Sequence, residues 1–372
     1  MRIGIDARYA FRAERRGIGE YVAQLLTHLA ADDDMEVFAY VDGGACLDAL
    51  ALPPGQFHIR TLGVSNPMLF EEVHLPRAAA ADRLDLLHLT SNYGPTIAPC
   101  PTVYTIQDLI EFMRGEIGPW RIDWRHSLGR AVRQRTLPLQ ARRAQMIITP
   151  SRATLRDVVR LLNVPEGRIR VIPYGAPEIE PADDVLALRV QLRSRGYPIP
   201  DQYVLTLAAL DPRKNYEVVI DAFRDQVRSF PKAELWLVGI EEPALLAKYH
   251  EPWIRAYGYL PRQDLLDLLR ASNAFVFPSK YEGFGFPALE AMTAGVPLLA
   301  SGSSSIPEIT GDCAYLFQPN DANALAYGLR QVFVGQDDVE RRRTQALQRA
   351  KTFTWKTTAR EHREVYRQVC MQ

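Results

Sequence analysis

The segment Glu282-Gly-Phe-Gly-Phe-Pro-Ala-Leu-Glu290 has the composition of a phosphate-binding loop that leads into a helix. It follows the apolar run 274–277, which has the pattern of a buried strand. Pro287 suits the first turn of a helix, and glycine lets a ligand approach the main chain closely. The unpaired N–H groups and positive dipole end of such a helix attract a diphosphate. The sequence therefore predicts a diphosphate-binding main chain at Gly283, Phe284, Gly285 and Phe286.

Two carboxylates frame this segment. Glu282 lies in the loop, and Glu290 lies about one turn into the helix with a side chain that leans back toward the helix N-terminus. A carboxylate only accepts hydrogen bonds, so we expect both to converge on the paired hydroxyls of a ribose or a hexose. Taken alone, Glu290 is also compatible with a charge that complements the helix dipole, and Glu282 with a solvated loop charge. Their combination with the glycines favours ligand binding.

A pair of cations, Arg213 and Lys214, stands between the strand-like run 203–207 and a helix that begins near 215. Cations are normally unfavourable at a helix N-terminus because they oppose the helix dipole. An anionic ligand between them would remove this conflict, which makes both residues candidates for stabilising a leaving diphosphate. The alternative is a solvated turn.

The sequence Arg15-Arg-Gly17-Ile-Gly19-Glu-Tyr21 follows the first strand-like run. It has only two of the three glycines of a dinucleotide-binding fingerprint, so it is weak evidence for such a site. A flexible loop at Gly17 and Gly19 could admit an acceptor or contact phosphate. An ordinary helix entry explains the same residues.

Short apolar runs alternate with amphipathic stretches along the whole chain, which is typical of βα units around a parallel sheet. In the first half the predicted strands are 2–6, 36–41, 84–90, 102–106, 146–149 and 170–173, and the predicted helices are 19–30, 67–80, 119–144 and 152–162. In the second half they are strands 203–207, 234–238, 254–258, 274–277 and 297–300, with helices 215–230, 264–271, 287–294 and others from 321 onward.

This rhythm predicts an α/β protein with two Rossmann-like domains whose parallel sheets face each other across a cleft. We expect the first domain over 1–175, a proline-bearing linker over 176–200 and the second domain over 201–354. The last helix, within 355–372, is expected to pack back on the first domain. Ligands bind outside the carboxyl ends of parallel strands, so two such domains suit an enzyme with two substrates.

Composition excludes several other classes of protein. Hydrophobic residues make up 47% and charged residues 24%, which is typical of a folded globular chain. Lys plus Arg and Asp plus Glu are equal at 44 each, so no global field favours nucleic acid. The four cysteines and seven histidines show no metal-ligand spacing, and we expect no metal site. Without a signal segment or an apolar span, the sequence predicts a cytoplasmic protein, either soluble or peripheral at the inner face of the membrane.

One stretch, 121–143, is strongly basic, with seven arginines against one aspartate. Trp120 and Trp124 accompany it. Such a helix could lie on anionic lipid or meet a lipid-diphosphate acceptor. A solvated, arginine-rich helix face is the equally weighted alternative.

The residues described so far resemble the family-4 (group 1) glycosyltransferases of the GT-B fold, and among them mannosyltransferases. The segment 282–297 is similar to that family's motif of two glutamates separated by seven residues. Supporting matches are Gly17-Ile-Gly-Glu-Tyr, Thr105-Ile-Gln-Asp108, Val171-Ile-Pro-Tyr-Gly175, Pro212-Arg-Lys-Asn215, Ser303-Ser-Ser-Ile-Pro-Glu308 and Phe353-Thr-Trp355. The resemblance therefore covers nearly the whole chain.

The resemblance implies a retaining transfer of a sugar from a nucleotide diphosphate without a metal or other cofactor. It implies that Glu282 holds sugar hydroxyls, Glu290 the ribose, and Arg213 with Lys214 the diphosphate. The first domain, including Gln107 and Asp108, would hold the acceptor side of the cleft. Many relatives have His at Gln107 and Asn at Tyr174, and Gln cannot carry a proton at neutral pH.

The resemblance to bacterial polysaccharide mannosyltransferases makes GDP-mannose the expected donor, with rhamnosyl or glucosyl donors as alternatives. The expected acceptor is a glycan or a lipid-linked glycan in polysaccharide or glycolipid synthesis. Two other functions stay open at this point. One is a sugar-nucleotide epimerase on the same scaffold, and the other is a non-catalytic two-domain sugar-binding protein.

Overall fold

The structure of the protein is a computed structural model. It describes residues 1–15, 17–29, 34–53, 56–113, 117, 124–241, 248–249 and 251–371, and the backbone alone for 124–132. The chain forms two compact units. The first contains Met1–Met113, Arg121–Gly175 and Phe353–Gln372, and the second contains Ala176–Thr352.

The first unit is built on a seven-stranded parallel sheet of order β3-β2-β1-β4-β5-β6-β7. Its strands are β1 (Arg2–Asp6), β2 (Glu36–Val41), β3 (Phe57–Thr61), β4 (Leu86–Leu89), β5 (Thr102–Thr105), β6 (Met146–Thr149) and β7 (Ile169–Val171). The central strands β4, β5 and β6 are buried along their whole length, as expected for a parallel sheet covered on both faces. The edge strand β3 is half exposed.

Helices and turns connect these strands. They are α1 (Ile18–Leu29), α2 (Pro67–Leu69), a π-helical turn (Phe70–His74), α3 (Leu75–Ala81), α4 (Trp124–Arg143) and α5 (Arg152–Leu162), with single 3-10 turns at Leu47–Ala49, Ile110–Phe112 and Glu166–Arg168. Sequence predicts the ends of α5 well: the Ser151 hydroxyl accepts the Thr154 N–H at 3.1 Å, and Asn163 ends the helix in the left-handed conformation.

The second unit has a six-stranded parallel sheet of order β10-β9-β8-β11-β12-β13. Its strands are β8 (Gln202–Leu207), β9 (Ala233–Val238), β10 (Ile254–Tyr257), β11 (Ala274–Phe277), β12 (Leu298–Ser301) and β13 (Tyr315–Phe317). Its helices are α6 (Val185–Ser194), α7 (Tyr216–Val227), α8 (Arg262–Ala271), α9 (Phe286–Thr293), α10 (Ile306–Thr310), α11 (Ala322–Val334) and α12 (Asp337–Ala350), with 3-10 turns at Pro212–Lys214 and Gly311–Cys313.

The segment expected to be a linker is part of the second unit. It contains helix α6, whose first N–H groups are capped by the Asp184 carboxylate. Beyond its end, Arg195 donates to Asp264 and Asp267 of α8 at 2.9 and 2.8 Å. The prolines interrupt the βα rhythm in the sequence, but the buried leucines of α6 attach this segment to the second unit's core.

The last helix, α13 (Trp355–Cys370), belongs to the first unit. The Thr358 hydroxyl donates to the Pro173 carbonyl at 2.8 Å. A Cβ atom at Gly175 would lie 2.4 Å from the Trp355 ring, so the chain at 175 and the start of α13 are in close contact. The chain therefore leaves the first unit after 175 and returns to it at 353.

Both sheets have one point at which the strand order reverses, between β1 and β4 in the first unit and between β8 and β11 in the second. Loops that leave the carboxyl ends of two such strands run in opposite directions and leave a crevice between them. These two crevices are the expected ligand sites of the respective units.

Candidate active site

The glycine loop is placed at the crevice of the second unit. It connects β11 to α9, and Gly285 immediately precedes the helix with φ +114°. L-residues with a Cβ atom rarely adopt such a φ, so glycine is required here by the backbone rather than by lack of space. Pro287 stands in the first turn of α9, as predicted.

A row of serines after β12 holds this loop in place. The Ser305 hydroxyl donates to the carbonyls of Glu282 and Phe284 at 2.9 and 2.7 Å. Ser304, at φ +54°, donates to the Glu282 carbonyl at 2.5 Å and accepts the Glu282 N–H at 3.2 Å. Ser303 donates to the Lys280 carbonyl at 2.7 Å. Sequence reasoning assigned these serines no role, since nothing in a serine run shows which backbone it will hold.

Glu282 lies at the centre of the site and is paired with both predicted cations. Its carboxylate is 3.0 Å from Lys214 Nζ and 3.5 Å from Arg213 Nη1, and it accepts the Ser279 hydroxyl at 2.7 Å. Burial raises the pKa of this carboxyl, but the charges of Lys214 and Arg213 and the Ser279 hydrogen bond outweigh burial and hold the pKa below its ordinary value. Glu282 is therefore an anion at neutral pH.

The turn that carries the cations is fixed by Asp211 and by hydrogen bonds to the glycine loop. Asp211 accepts the Arg213 N–H at 2.9 Å and the Arg213 guanidinium at 3.2 Å. Asn215 adopts the left-handed conformation and donates to the carbonyls of Pro278 and Pro319. The Lys280 N–H donates to the Arg213 carbonyl at 2.9 Å, which joins the two loops across the strand-order reversal. The structure thus brings together two motifs that are 68 positions apart in the sequence.

Glu290 is largely buried on α9 and pairs with a different cation, Arg262, at the start of α8. Among the described contacts Glu290 does not join the Arg213–Lys214 pair, and the convergence of both carboxylates on one ligand stays a prediction. Sequence reasoning missed Arg262, because an arginine at the start of a predicted helix resembles any solvated charge.

The predicted acceptor residues in the first unit have mainly internal roles. Gly17 has φ +39°, and a Cβ atom at Gly19 would lie 2.7 Å from the Tyr9 carbonyl oxygen, so packing alone requires the second glycine. Arg16 lies outside the described residues. Asp108 accepts the Ile110 N–H at 3.1 Å, and its carbonyl accepts from Asn92.

Gln107 is held inside the first unit. Its amide nitrogen donates to the Thr90 carbonyl at 2.9 Å, and its amide oxygen accepts the Tyr174 hydroxyl at 2.5 Å. Both ends of the buried amide are therefore engaged, and the place of Gln107 on the acceptor side stays a prediction. Gln107 and Tyr174, which the resemblance gave as two separate departures, are partners in the structure.

A buried network continues from this pair toward α13. His88 contacts the hydroxyls of Thr105 and Tyr366 at 2.7 Å each. Tyr21 contacts Thr105 at 2.9 Å and His362 at 2.8 Å. Burial lowers the pKa of His88 well below its ordinary value, and the nearby His362 lowers it further. His88 is therefore a buried, packed residue of the first unit.

The basic stretch forms helix α4, but Trp120, Arg121 and the side chains of 124–132 lie outside the described residues. Of the rest, Arg143 donates to the Thr96 carbonyl at 2.7 Å, and Arg133 lies 4.4 Å from the centre of the Tyr93 ring. Within the described ranges, every helix is too short or too polar to cross a bilayer. In the same ranges no group of three or more His, Cys, Asp or Glu side chains could hold a metal ion.

Comparisons with known proteins agree with this fold. The model of the family "Glyco_transf_4, Glycosyltransferase Family 4" matches residues 15–177, and that of "Glycos_transf_1, Glycosyl transferases group 1" matches residues 192–349. The two parallel-sheet units have the GT-B fold. The chain belongs to the group 1, family 4 glycosyltransferases.

Similar proteins include mannosyltransferases. The chain is 28% identical to the O-antigen chain mannosyltransferase B of Escherichia coli over 94% of this chain and 96% of that protein. It is 30% identical to the serotype-specific mannosyltransferase WbdA of Escherichia coli over 58% of this chain but only 28% of that protein. These relatives favour a transferase over the epimerase and non-catalytic alternatives.

Solved structures show the same fold. Sucrose-phosphate synthase from Thermosynechococcus elongatus aligns over 99% of this chain and 98% of that chain, with a TM-score of 0.72 and 21% identity. The structure of WaaG, a glycosyltransferase involved in lipopolysaccharide biosynthesis, aligns over 98% and 99% with a TM-score of 0.70 and 15% identity. At these identities the likeness concerns the fold alone.

Proposed function

We propose that this glycosyltransferase transfers mannose from GDP-mannose to a glycan acceptor in polysaccharide synthesis, with retention of the anomeric configuration and without a metal ion. The second unit binds the donor and the first unit binds the acceptor. The O-antigen mannosyltransferase that is similar to the chain over nearly its full length supports the choice of sugar and of acceptor class.

The observation that carries the proposal is the contact of Lys214 and Arg213 with Glu282 at the β8–β11 crevice. Glu282 and Asp211 balance the formal charge of Lys214 and Arg213, but both cations lie in the crevice where α9 begins with its positive dipole end. A diphosphate can accept hydrogen bonds from the two cations and from the N-terminus of α9. The Glu282 carboxylate, which Ser279 also holds, can then accept hydrogen bonds from sugar hydroxyls.

In the proposed reaction the bond between the sugar C1 and the diphosphate oxygen breaks, and an acceptor hydroxyl attacks C1 from the same face. A donor phosphate oxygen takes the hydroxyl proton. Lys214 and Arg213 stabilise the charge that develops on the leaving diphosphate, which is the role a metal ion has in other transferases. Fixed charges that are already in place need little reorganisation during this step.

The donor is tested by thermal unfolding with GDP, UDP and dTDP and their sugars. A ligand that binds only the folded state raises the melting temperature, and at 100 times its Kd it adds about 2.7 kcal/mol of stability. We expect GDP-mannose to give the largest rise. If Glu290 binds the ribose, the Glu290→Ala variant should show little of the increase in melting temperature that GDP-mannose gives the wild type. An equal increase in the variant would refute the assignment of Glu290 to the ribose.

Retention of the anomeric configuration and activity without a metal ion are tested on the complete transfer reaction. The anomeric configuration of the product, measured by NMR with a mannose oligosaccharide as acceptor, should be that of the donor. Activity should persist in excess chelator. An inverted product, or loss of activity that added divalent cations restore, would refute the corresponding part of the proposal.

A further inference from the structure

The first unit has its own crevice, where the strand order reverses between β1 and β4. The carboxyl ends of these strands are tied together, because the Thr90 hydroxyl donates to the Asp6 carbonyl at 2.6 Å. We call the group of side chains at the end of β1 the Arg8 cluster. Its members are Asp6, Arg8, Tyr9, Phe70 and Glu71. Sequence analysis gave these residues no role.

The Arg8 cluster is built around a buried guanidinium. Arg8, only 3% exposed, donates to Asp6 through Nε and Nη2 at 2.9 and 2.7 Å and to Glu71 Oε1 through Nη2 at 2.9 Å. Its guanidinium carbon lies 4.2 Å from the centre of the Phe70 ring. Two carboxylates thus share the Arg8 guanidinium, and the charge of Arg133 also acts on Glu71. Arg8 already has two hydrogen bonds to Asp6, so the pairing of Arg8 alone does not account for Glu71.

Glu71 is presented by an unusual piece of backbone. The π-helical turn Phe70–His74 lies between α2 and α3, and such turns are rare and frequent at functional sites. The next residue on the turn, Glu72, has a structural role, because it accepts the Thr96 N–H and hydroxyl at 3.0 and 2.8 Å. Burial raises the pKa of Glu71, although Arg8 opposes this effect. The two neighbouring glutamates are therefore in different environments.

Two further features of this edge point to a ligand. Ser91, which follows β4, is 3% exposed, and in the part of the chain that the structure describes its hydroxyl has no hydrogen-bond partner. Tyr9 in contrast is 36% exposed although it lies beside the buried Arg8. A binding site for a small polar ligand typically combines an accessible aromatic ring with a few polar groups of this kind.

We propose that the Arg8 cluster and Ser91 bind one sugar residue of the acceptor glycan. Glu71 accepts hydrogen bonds from sugar hydroxyls, and the Ser91 hydroxyl forms a hydrogen bond with another sugar hydroxyl. The Tyr9 ring packs against the C–H face of the sugar. The carboxylates of Asp6 and Glu71 only accept hydrogen bonds, so the cluster suits the hydroxyls of a neutral polyol rather than a phosphate group. The inference rests on the proposed function in that the acceptor is taken to be a glycan.

The test compares Glu71→Gln with Glu72→Gln, the same substitution one position further on the π turn. The probe is an α-linked mannotriose, and the binding constant is measured by saturation-transfer NMR on the full chain. A hydrogen bond to a charged acceptor contributes enough that its loss raises the Kd by about tenfold or more. We expect this rise for Glu71→Gln and less than a twofold change for Glu72→Gln.

Tyr9→Ala provides an independent variant, since Tyr9 is partly exposed, and it should also weaken mannotriose binding about tenfold or more. The proposal is overturned if the wild-type chain does not bind mannotriose, or if the folded variants bind it as tightly as wild type. GDP binding is measured on the same samples. A chain that binds mannotriose at this site but no nucleotide refutes the proposed donor function, whereas a chain that binds GDP but not mannotriose refutes only the acceptor site.

Discussion

Replacing Lys214 by methionine removes one charge from the site while keeping most of the side-chain volume. Lys214 Nζ lies 3.0 Å from Glu282, which also has Arg213 at 3.5 Å and the Ser279 hydroxyl at 2.7 Å. Glu282 therefore keeps two partners in the variant. The variant loses one hydrogen bond to a charged group, so its free energy of unfolding should fall by about 1.5–3 kcal/mol. For a domain of this size about 2–4 °C in Tm corresponds to each kcal/mol, so Tm should fall by roughly 3–12 °C.

The effect on turnover should be larger than the effect on stability. If Lys214 stabilises the leaving diphosphate, its removal costs about 2.7–4 kcal/mol in the transition state, which is a fall in kcat of about 100- to 1,000-fold. Transfer from GDP-mannose is measured at saturating donor, at a temperature where circular dichroism shows the variant to be folded. Tm and kcat are then measured on the same preparation.

Lys232→Met is the matched control. Lys232 is exposed and directly precedes β9, so it lies at the amino edge of the same sheet. We expect wild-type kcat and Tm for this variant. If Lys214→Met lowers Tm as calculated but keeps kcat within about threefold of wild type, then Lys214 only holds Glu282 and the role assigned to it in catalysis is wrong.

Three further perturbations test other parts of the structure. Gly285→Ala forces a Cβ atom into a φ of +114° and should cost at least about 1 kcal/mol and weaken donor binding; unchanged Tm would contradict the loop geometry. Tyr174→Phe leaves the buried Gln107 oxygen without its donor and should cost about 1–3 kcal/mol, and a double-mutant cycle with Gln107→Leu in urea unfolding should be clearly non-additive. Burial lowers the pKa of His362 from 6.5 to about 4, so the unfolded chain takes up its proton first on acidification. The contribution of neutral His362 to the free energy of unfolding should therefore be complete above pH 6.5 and decline between pH 6.5 and 4. His362→Gln should flatten the dependence of Tm on pH in this range.

The Gln107–Tyr174 pair shows why single positions are hard to interpret. In the sequence they are 67 positions apart, and neither residue by itself indicates the other. In the structure they form one hydrogen bond, and Tyr174 stacks on Tyr21 with ring centres 4.5 Å apart. A substitution in a buried polar pair is tolerated when its partner changes with it, because neither group is then left unsatisfied.

The sequence alone determined the local parts of this protein. The parallel strands 36–41 and 274–277 were predictable because strands buried on both faces are nearly continuous apolar runs. The edge strands β3 and β13 were missed because they are short and partly exposed. Helix α9 and its glycine loop were predictable from backbone preferences, which depend on a few neighbouring residues.

Only the tertiary structure decided which side chains meet. The pairing of Lys214 with Glu282, of Arg262 with Glu290 and of Arg8 with Glu71 depends on strand order, which within each unit brings distant parts of the chain together. Strand order results from the packing of whole helices and strands, and no local pattern encodes it. The types of residue therefore indicated the chemistry, whereas the fold determined the partners.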